Sequence, residues 1–340
     1  MIGRVHLLPA HHKTEFLKRS REGFHHERRQ VPPSNLAILR QINELHPAYP
    51  LSGSSMLRAQ RLDLPRTGPR IADLADVDSE KWRSYADVAS WPMRLIYHLE
   101  WQKVAALERR IAHECDYSTF VSEAEAALFR SLIPERAEHI KGISSGVDHR
   151  YFDPSPGFEA PFDASVPTFV FTGTMDYPPN VDAVRWFAHE ILPIIRRTLP
   201  AAAFFIVGNS PSPAVLALAS IPGVHVTGRV PDVRPYLAHA TAGVAPMRIA
   251  RGIQNKVLEA MAMARPVVVT SGALEGIEAT PGEDVILADD VAGFAAVACR
   301  VAHDPEWAAS LGRAARARVV GSYDWSVRLR AFDGLLGALG

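Results

Sequence analysis

Short apolar runs alternate with helical patterns throughout the second half of the chain, and this alternation restricts the fold more than any other feature. The pattern predicts six strands, at residues 168–172, 203–207, 224–227, 242–246, 266–270 and 285–287. Continuous apolar strands separated by helices are typical of a parallel sheet that is covered on both faces. The sequence therefore predicts an α/β fold.

The carboxyl ends of these predicted strands are the places to look for a ligand, because ligands of such sheets bind there. Glycines follow three of the strands, at Gly173, Gly208 and Gly228. A glycine at a strand end lets a phosphate or a sugar approach the backbone closely, but it also serves in ordinary turns. Both interpretations are open for Gly173.

Residues 242–270 combine a strand, a basic loop, a helix and a second strand. The loop contains Arg248, and the helix begins near Ile253 and carries Lys256. The start of a helix presents unpaired N–H groups and a partial positive charge, and two cations beside it favour a bound diphosphate.

Glu259 lies on the same helix face as Lys256, three residues further along. The rest of this helix is apolar, so the Glu259 carboxylate requires a polar partner. A sugar diol is one candidate for that partner, and an internal ion pair with Lys256 is the other.

The L-E-A-M-A sequence at residues 258–262 follows the basic loop, and the whole stretch resembles the retaining GT-B glycosyltransferases of family 4, or group 1. The resemblance implies that Glu259 binds the nucleotide ribose. It also implies donor contacts from the loop and helix start, at Arg251, Gly252, Ile253 and Gln254. Many relatives carry a glutamate eight residues before the second one. This sequence has Arg251 there, so the contact of that first glutamate with the sugar is altered.

The G-T-M-D-Y-P-P-N sequence at residues 173–180 resembles one branch of the group, the sugar transferases of exopolysaccharide clusters associated with exosortase and PEP-CTERM systems. The resemblance implies donor contacts from Gly173 and Thr174. Relatives outside this branch have Arg and Lys where Thr174 and Asn180 stand. The diphosphate cations are therefore assigned to Arg248 and Lys256, as the catalytic residues.

Two further stretches receive roles through the same resemblance. The V-T-G-R-V sequence at residues 226–230 resembles the loop that meets the nucleotide base, which implies backbone contacts from Arg229 and Val230. Asp76, Asp78 and Ser79 follow a predicted strand at residues 71–77. They could hold a divalent cation, cap and turn the chain, or line the acceptor side of the cleft as the resemblance implies.

The remaining elements complete a GT-B architecture of two Rossmann-like domains facing a cleft. Residues 1–150 are assigned to an acceptor-side domain and residues 151–325 to the nucleotide-sugar domain, while a terminal helix at 326–340 crosses back. In the first domain we expect a helix at 91–115, whose apolar stripe includes Leu95 and Leu99. We also expect a second helix that is capped by Ser122. No strand with a Gly-rich loop precedes Arg70, so residues 1–69 are interpreted as atypical or truncated.

The sequence favours a cytoplasmic enzyme, since no apolar run is long enough for a membrane helix and no signal pattern is present. Residues 1–70 hold twelve Lys or Arg against five acids, which suits contact with the inner membrane surface; no nucleic-acid motif accompanies them.

The predicted activity is hexosyl transfer, with retention, from a UDP- or GDP-sugar to a lipid-linked or polysaccharide acceptor. No metal or cofactor is expected. The alternative is a nucleotide-binding module that lacks a complete acceptor domain.

Overall fold

The computed structural model describes residues 70–250 and 252–337. The interpretation of residues 1–69 as atypical or truncated, and the donor contact assigned to Arg251, lie outside the described residues. None of the helices in the described part combines the length and the apolar character that a bilayer crossing requires.

The chain divides into two compact units, and each has its own parallel sheet. Of the described residues, the first unit comprises 70–120, 126–141 and 335–337, and the second comprises 121–125 and 142–334. The first unit contains a sheet of three strands and the second a sheet of six.

The first unit is built on three strands in the order β1-β2-β3, with β1 and β2 parallel. The strands are β1 Ile71–Ala75, β2 Tyr117–Phe120 and β3 Ile140–Gly142. The helices are α1 Asp78–Val88, α2 Met93–Glu114 and α3 Glu123–Leu132, and the 3-10 helix Pro134–His139 precedes β3. Ser122 caps α3 as predicted, since its Oγ accepts the N–H of Glu125 at 3.1 Å.

Two expectations for this unit are wrong in detail. The strand predicted at residues 71–77 ends at Ala75, and the helix α1, which was not predicted, begins at Asp78, where acidic side chains in the first turn stabilise the helix start. The apolar stripe of α2 is buried only towards its carboxyl end. Ile111 is 1% exposed, whereas Leu95 and Leu99 are 52% and 46% exposed.

The second unit contains six parallel strands in the order β6-β5-β4-β7-β8-β9. The strands are β4 Thr168–Thr172, β5 Ala203–Val207, β6 Val224–Gly228, β7 Ala242–Ala245, β8 Val267–Val269 and β9 Ile286–Leu287. Each predicted strand is present, and the ends differ from the prediction by one residue at most.

Helices lie between these strands and after the last of them. They are α4 Pro178–Trp186, α5 Leu192–Thr198, α6 Pro213–Leu216, α7 Arg234–His239, α8 Asn255–Ala262, α9 Ser271–Leu274, α10 Val291–His303, α11 Pro305–Ser322 and α12 Trp325–Gly337. The π-helical turn Phe187–Ile191 joins α4 to α5. Every residue of β4 is buried, as the unbroken apolar runs in the sequence predicted.

The strand order reverses direction between β4 and β7. In this unit the first strand is β4. The next two strands, β5 and β6, are added on one side of β4, and β7 is then added on its other side. The loops that follow β4 and β7 therefore diverge to opposite faces of the sheet and leave a crevice at its carboxyl edge. Open α/β sheets bind their ligands in such a crevice.

The segment between the predicted domains is tied to the start of α12. The N–H of Val147 donates to the carbonyl of Tyr323 at 2.8 Å, and His149 Nε2 lies 2.5 Å from Asp324 Oδ2. A Cβ on Gly146 would lie 2.8 Å from the Trp325 ring, so the glycine is needed for this contact.

The end of β5 approaches the end of β4 so closely that only glycine fits at residue 208. A Cβ on Gly208 would lie 1.7 Å from the carbonyl oxygen of Gly173. We therefore expect Gly208→Ala to lower the free energy of unfolding by about 2 kcal/mol or more, because the backbone must move apart. Thermal unfolding followed by circular dichroism measures the loss. Gly282→Ala is the control, since its φ is also positive but nothing lies within 4 Å of the added atom. Equal losses in the two variants would contradict the steric explanation.

Candidate functional site

The start of α8 is an uncapped helix N-terminus beside the crevice between β4 and β7. Gln254 occupies the N-cap position, and its side chain makes no capping hydrogen bond. Gly252 has a φ of +63°, a conformation that other residues adopt only at a cost, and it turns the chain into the helix. No side chain therefore caps the start of α8, where a helix presents N–H groups without partners inside the helix.

Lys256 lies in the first turn of this helix and is half-buried. Its Nζ donates to Gln254 Oε1 at 2.9 Å and lies 5.2 Å from the centre of the Phe171 ring. Burial lowers the pKa of Lys256 to about 8, and the negative charge of Glu259 only partly offsets this effect. At neutral pH the side chain is a cation whose remaining N–H bonds can reach a ligand.

Glu259 is half-buried, one turn further along α8. Among the residues that the structure describes, none forms a hydrogen bond or an ion pair with its carboxylate. Burial raises the pKa of Glu259 to about 7, opposed by the charge of Lys256. Lys256 and Glu259 attract each other, but they do not form the direct ion pair that was the alternative interpretation. A half-buried carboxylate without a partner is costly unless a ligand satisfies it.

Arg248 follows β7 and contacts an acid that the sequence analysis did not consider. Its Nε and Nη2 donate to the two oxygens of Asp182 in α4, at 3.0 Å and 2.5 Å. The hydrogen bond to Asp182 raises the pKa of Arg248, so the group is always charged. The Arg248 side chain is 48% exposed. Arg248 thus stands at the crevice, already held by an internal partner.

The loop after β4 places Gly173 and Thr174 at the same edge of the sheet. Asn180 is buried, and its Nδ2 donates to the carbonyl of Thr174 at 2.9 Å. A Cβ on Gly173 would lie 2.7 Å from that Nδ2, so this position requires a glycine for the loop to close on Asn180. Asn180 therefore holds the loop that follows β4.

The loop after β6 carries the two residues assigned to the nucleotide base. Gly228 has a φ of +64° and ends the strand. Arg229 is exposed, while Val230 is half-buried and packs against the core of the second unit.

The acidic residues Asp76 and Asp78 of the first unit share a basic partner, Lys81. Lys81 Nζ lies 2.7 Å from Asp76 Oδ2 and 3.1 Å from Asp78 Oδ1. Burial lowers the pKa of Lys81, but the two carboxylates outweigh it and the net pKa lies above its ordinary value. The buried Ser79 donates its N–H to Glu108 Oε1 at 3.1 Å. Lys81 therefore offsets the charge of one of the two carboxylates and occupies the space between them.

Metal-binding groups are absent from the part of the chain described here, where no three His, Cys, Asp or Glu side chains come together. The charges that meet in the second unit are instead Arg248, Lys256 and Glu259. The structure brings these three to one edge of the sheet, together with the Gly173 loop.

Four contacts of this site were missed in the sequence analysis. Asp182 and Trp186 flank Arg248, Phe171 lies against Lys256, and Asn180 holds Thr174. A signal was present for the first two, because an acid and an aromatic residue four apart share one helix face. Their partner, Arg248, lies more than sixty residues away in the sequence, so no local pattern could indicate that they contact it.

A parallel sheet with a switch point, followed there by a helix whose start carries no side-chain cap, is typical of α/β proteins of the Rossmann-like type. Residues 166–304 match the family described as "Glycosyl transferases group 1". This match covers less than half of the chain and lies in the second unit. A comparison with curated proteins gave no match.

Solved structures extend the similarity over most of the chain. HepE of Anabaena, solved in complex with UDP and glucose, has a TM-score of 0.65 at 15% identity, over 84% of this chain and 76% of that one. Sucrose-phosphate synthase of Thermosynechococcus elongatus has a TM-score of 0.63 at 20% identity, over 84% and 71%. WaaG, a glycosyltransferase involved in lipopolysaccharide biosynthesis, has a TM-score of 0.58 at 17% identity, over 82% and 80%. The fold is therefore that of the GT-B glycosyltransferases, and the family match supports the predicted resemblance to group 1.

Proposed function

We propose that this protein transfers a sugar from a nucleoside diphosphate sugar to an acceptor hydroxyl. The observation that carries the proposal is the half-buried Glu259 carboxylate, which lacks a described partner one turn beyond a cationic, uncapped helix start. A diphosphate followed by a ribose complements that arrangement in charge and in hydrogen bonding.

The diphosphate is the leaving group of the proposed reaction, and negative charge grows on it as the glycosidic bond breaks. In this proposal Lys256, Arg248 and the first N–H groups of α8 stabilise that charge; the contact of Lys256 with Gln254 and that of Arg248 with Asp182 support it. Charge stabilisation of this kind by a preorganised site is a large term in catalysis. The two cations supply charge that a divalent metal supplies in other enzymes, so the proposal requires no metal or cofactor.

The ribose of the donor is assigned to Glu259. A carboxylate has two acceptor oxygens, so it can accept one hydrogen bond from each hydroxyl of a diol such as that of ribose. Contacts of Gly173, Thr174, Gly252, Ile253 and Gln254 with the donor belong to the same proposal. So do the backbone contacts of Arg229 and Val230 with the base, and an acceptor-side role for Asp76, Asp78 and Ser79.

The finer points of the reaction rest on the resemblance and the neighbours. We propose hexosyl transfer with retention from a UDP- or GDP-sugar, because HepE was solved with UDP and glucose. A lipid-linked or polysaccharide acceptor at the cytoplasmic membrane surface, in exopolysaccharide synthesis, agrees with the lipopolysaccharide role named for WaaG. Analysis of the product anomer by NMR tests retention, and an inverted product would refute it.

Titration calorimetry with UDP and GDP, together with a donor-hydrolysis and transfer assay, tests the main proposal. Binding of one nucleotide and turnover of its sugar derivative are expected. Binding without hydrolysis or transfer would favour the alternative of a nucleotide-binding module. Absence of binding to either nucleotide would contradict both. A screen of donors by mass spectrometry then identifies the sugar.

Affinity for the nucleoside diphosphate is expected to be highest between about pH 7 and pH 8. The positive charge of Lys256 is present below its pKa of about 8 and is lost as the pH rises through it. The carboxylate charge of Glu259 is present above its pKa of about 7 and is lost as the pH falls through it. Calorimetry from pH 5.5 to 9.5 measures both limbs of this curve. A constant affinity across that range would show that neither group contacts the ligand.

A further inference from the structure

Arg248 is held by two residues of one helix. Asp182 and Trp186 both belong to α4 and are four residues apart, so they face the same side of it. Asp182 accepts from the Nε and Nη2 edge of the guanidinium, and the centre of the Trp186 ring lies 5.3 Å from the guanidinium carbon. Trp186 itself is buried, which fixes its ring.

These contacts join the loops that diverge at the switch point of the sheet. Arg248 follows β7, and α4 is the helix that follows β4. The ion pair between Arg248 and Asp182 therefore connects the two segments between which a ligand of this sheet would bind. An ion pair that only stabilised the fold would have no need to lie at this position, so its position indicates a link to ligand binding.

The contact with Asp182 leaves most of the guanidinium donors unused. A guanidinium has five N–H bonds, and the contact with Asp182 uses one on Nε and one on Nη2. Among the described residues, no acceptor takes the other three, and the side chain is 48% exposed. Arg248 can therefore bind an anion and keep its contact with Asp182.

We propose that Asp182 and Trp186 are positioning residues, which hold the Arg248 guanidinium so that its remaining N–H groups meet the diphosphate of the donor. This inference rests on the proposed function of the site. A free arginine loses rotamer freedom when it binds a ligand, and a side chain held in advance loses less. Asp182 thus strengthens the binding of an anion although it is itself an anion.

Calorimetry with UDP and GDP on the full chain tests this inference through a double-mutant cycle of Asp182→Asn and Arg248→Ala. Asp182→Asn is expected to weaken binding about three- to tenfold in the wild-type background. In the Arg248→Ala background it is expected to have no further effect, because the residue that it positions is gone. Trp186→Phe, which keeps a buried ring, is expected to change affinity in the same direction by a smaller factor.

Glu190→Gln is the matched control for the loss of a negative charge near Arg248. Glu190 attracts Arg248 only at longer range, without a hydrogen bond, so the control is expected to change affinity less than twofold. Thermal unfolding of every variant shows whether it is folded.

Three results would overturn the inference. Tighter binding by Asp182→Asn would show that Asp182 competes with the ligand, equal binding would show that it plays no part, and the same loss in the Arg248→Ala background would show that it acts independently. If the wild-type protein binds neither UDP nor GDP, the proposed function fails and the inference fails with it. Binding by the wild type with an unaffected Asp182→Asn variant refutes the inference alone.

Discussion

Lys256→Met is expected to lower the rate of donor hydrolysis or transfer by about 10²-fold or more. Lys256 provides a full charge at the start of α8, where the leaving diphosphate gains negative charge, and loss of one preorganised donor in such a site has an effect of this size. Methionine is an unbranched side chain of similar length without the charge, so it replaces the ammonium beside Phe171 with an apolar group. Single-turnover kinetics with a radiolabelled donor measure the change.

Lys103→Met is the matched control, since Lys103 is an exposed lysine on α2 that pairs with Glu100. It is expected to leave turnover within a factor of two. If Lys256→Met retained full turnover, the assignment of the diphosphate to α8 would be wrong, and with it the proposed function.

Glu259→Gln is expected to weaken nucleotide binding and to stabilise the unliganded protein. Loss of the charged acceptor for the ribose diol predicts a fall in UDP or GDP affinity of about 10- to 100-fold. Burial raises the pKa of Glu259 from 4.5 to about 7, so the ionised carboxylate destabilises the folded state above that pH. Removing it should raise the free energy of unfolding by about 1 to 2 kcal/mol at pH 8, because the carboxylate is only half-buried.

The pH dependence of this gain in the free energy of unfolding shows whether the gain comes from removing the charge of Glu259. The folded state binds the proton of Glu259 more tightly than the unfolded state, so the penalty is fully present above about pH 7 and shrinks as the pH falls towards 4.5. Denaturant unfolding at pH 8 and pH 5.5 should therefore show a smaller gain at the lower pH. A loss of stability together with unchanged nucleotide binding would mean that Glu259 is a structural residue.

Local patterns were sufficient for the elements of the second unit. Runs of four or five buried apolar residues predict strands such as β4 and β7 because such residues avoid water in any context. The cationic helix start at Lys256 and the acid at Glu259 were predicted for the same reason, since both depend on residues only a few positions apart. In the first unit the polar start of α1 was missed, because Asp and Ser occur both in loops and in first turns of helices.

Contacts between distant segments could not be predicted in this way. The sequence showed Arg248 and Lys256 as two equivalent cations, whereas the structure gives Arg248 an acid from α4 and leaves Lys256 with Gln254. Metal binding was one of the three roles left open for Asp76 and Asp78, and the sequence did not show that Lys81 contacts both carboxylates. Hydrogen bonds and ion pairs act over a few ångströms, and which groups come that close is decided by the course of the whole chain.

Side chains close together in the chain were enough to predict the parallel sheet, the helix that starts beside its carboxyl edge and the charged residues on that helix. Which of those charged residues have partners within the protein depends instead on how distant segments pack. The order β6-β5-β4-β7-β8-β9 places β7 next to β4 and so brings Arg248 to Asp182, while Glu259 finds no partner among the described residues. Strand order is a property of the packed sheet, and the free energy that selects it is spread over the whole core.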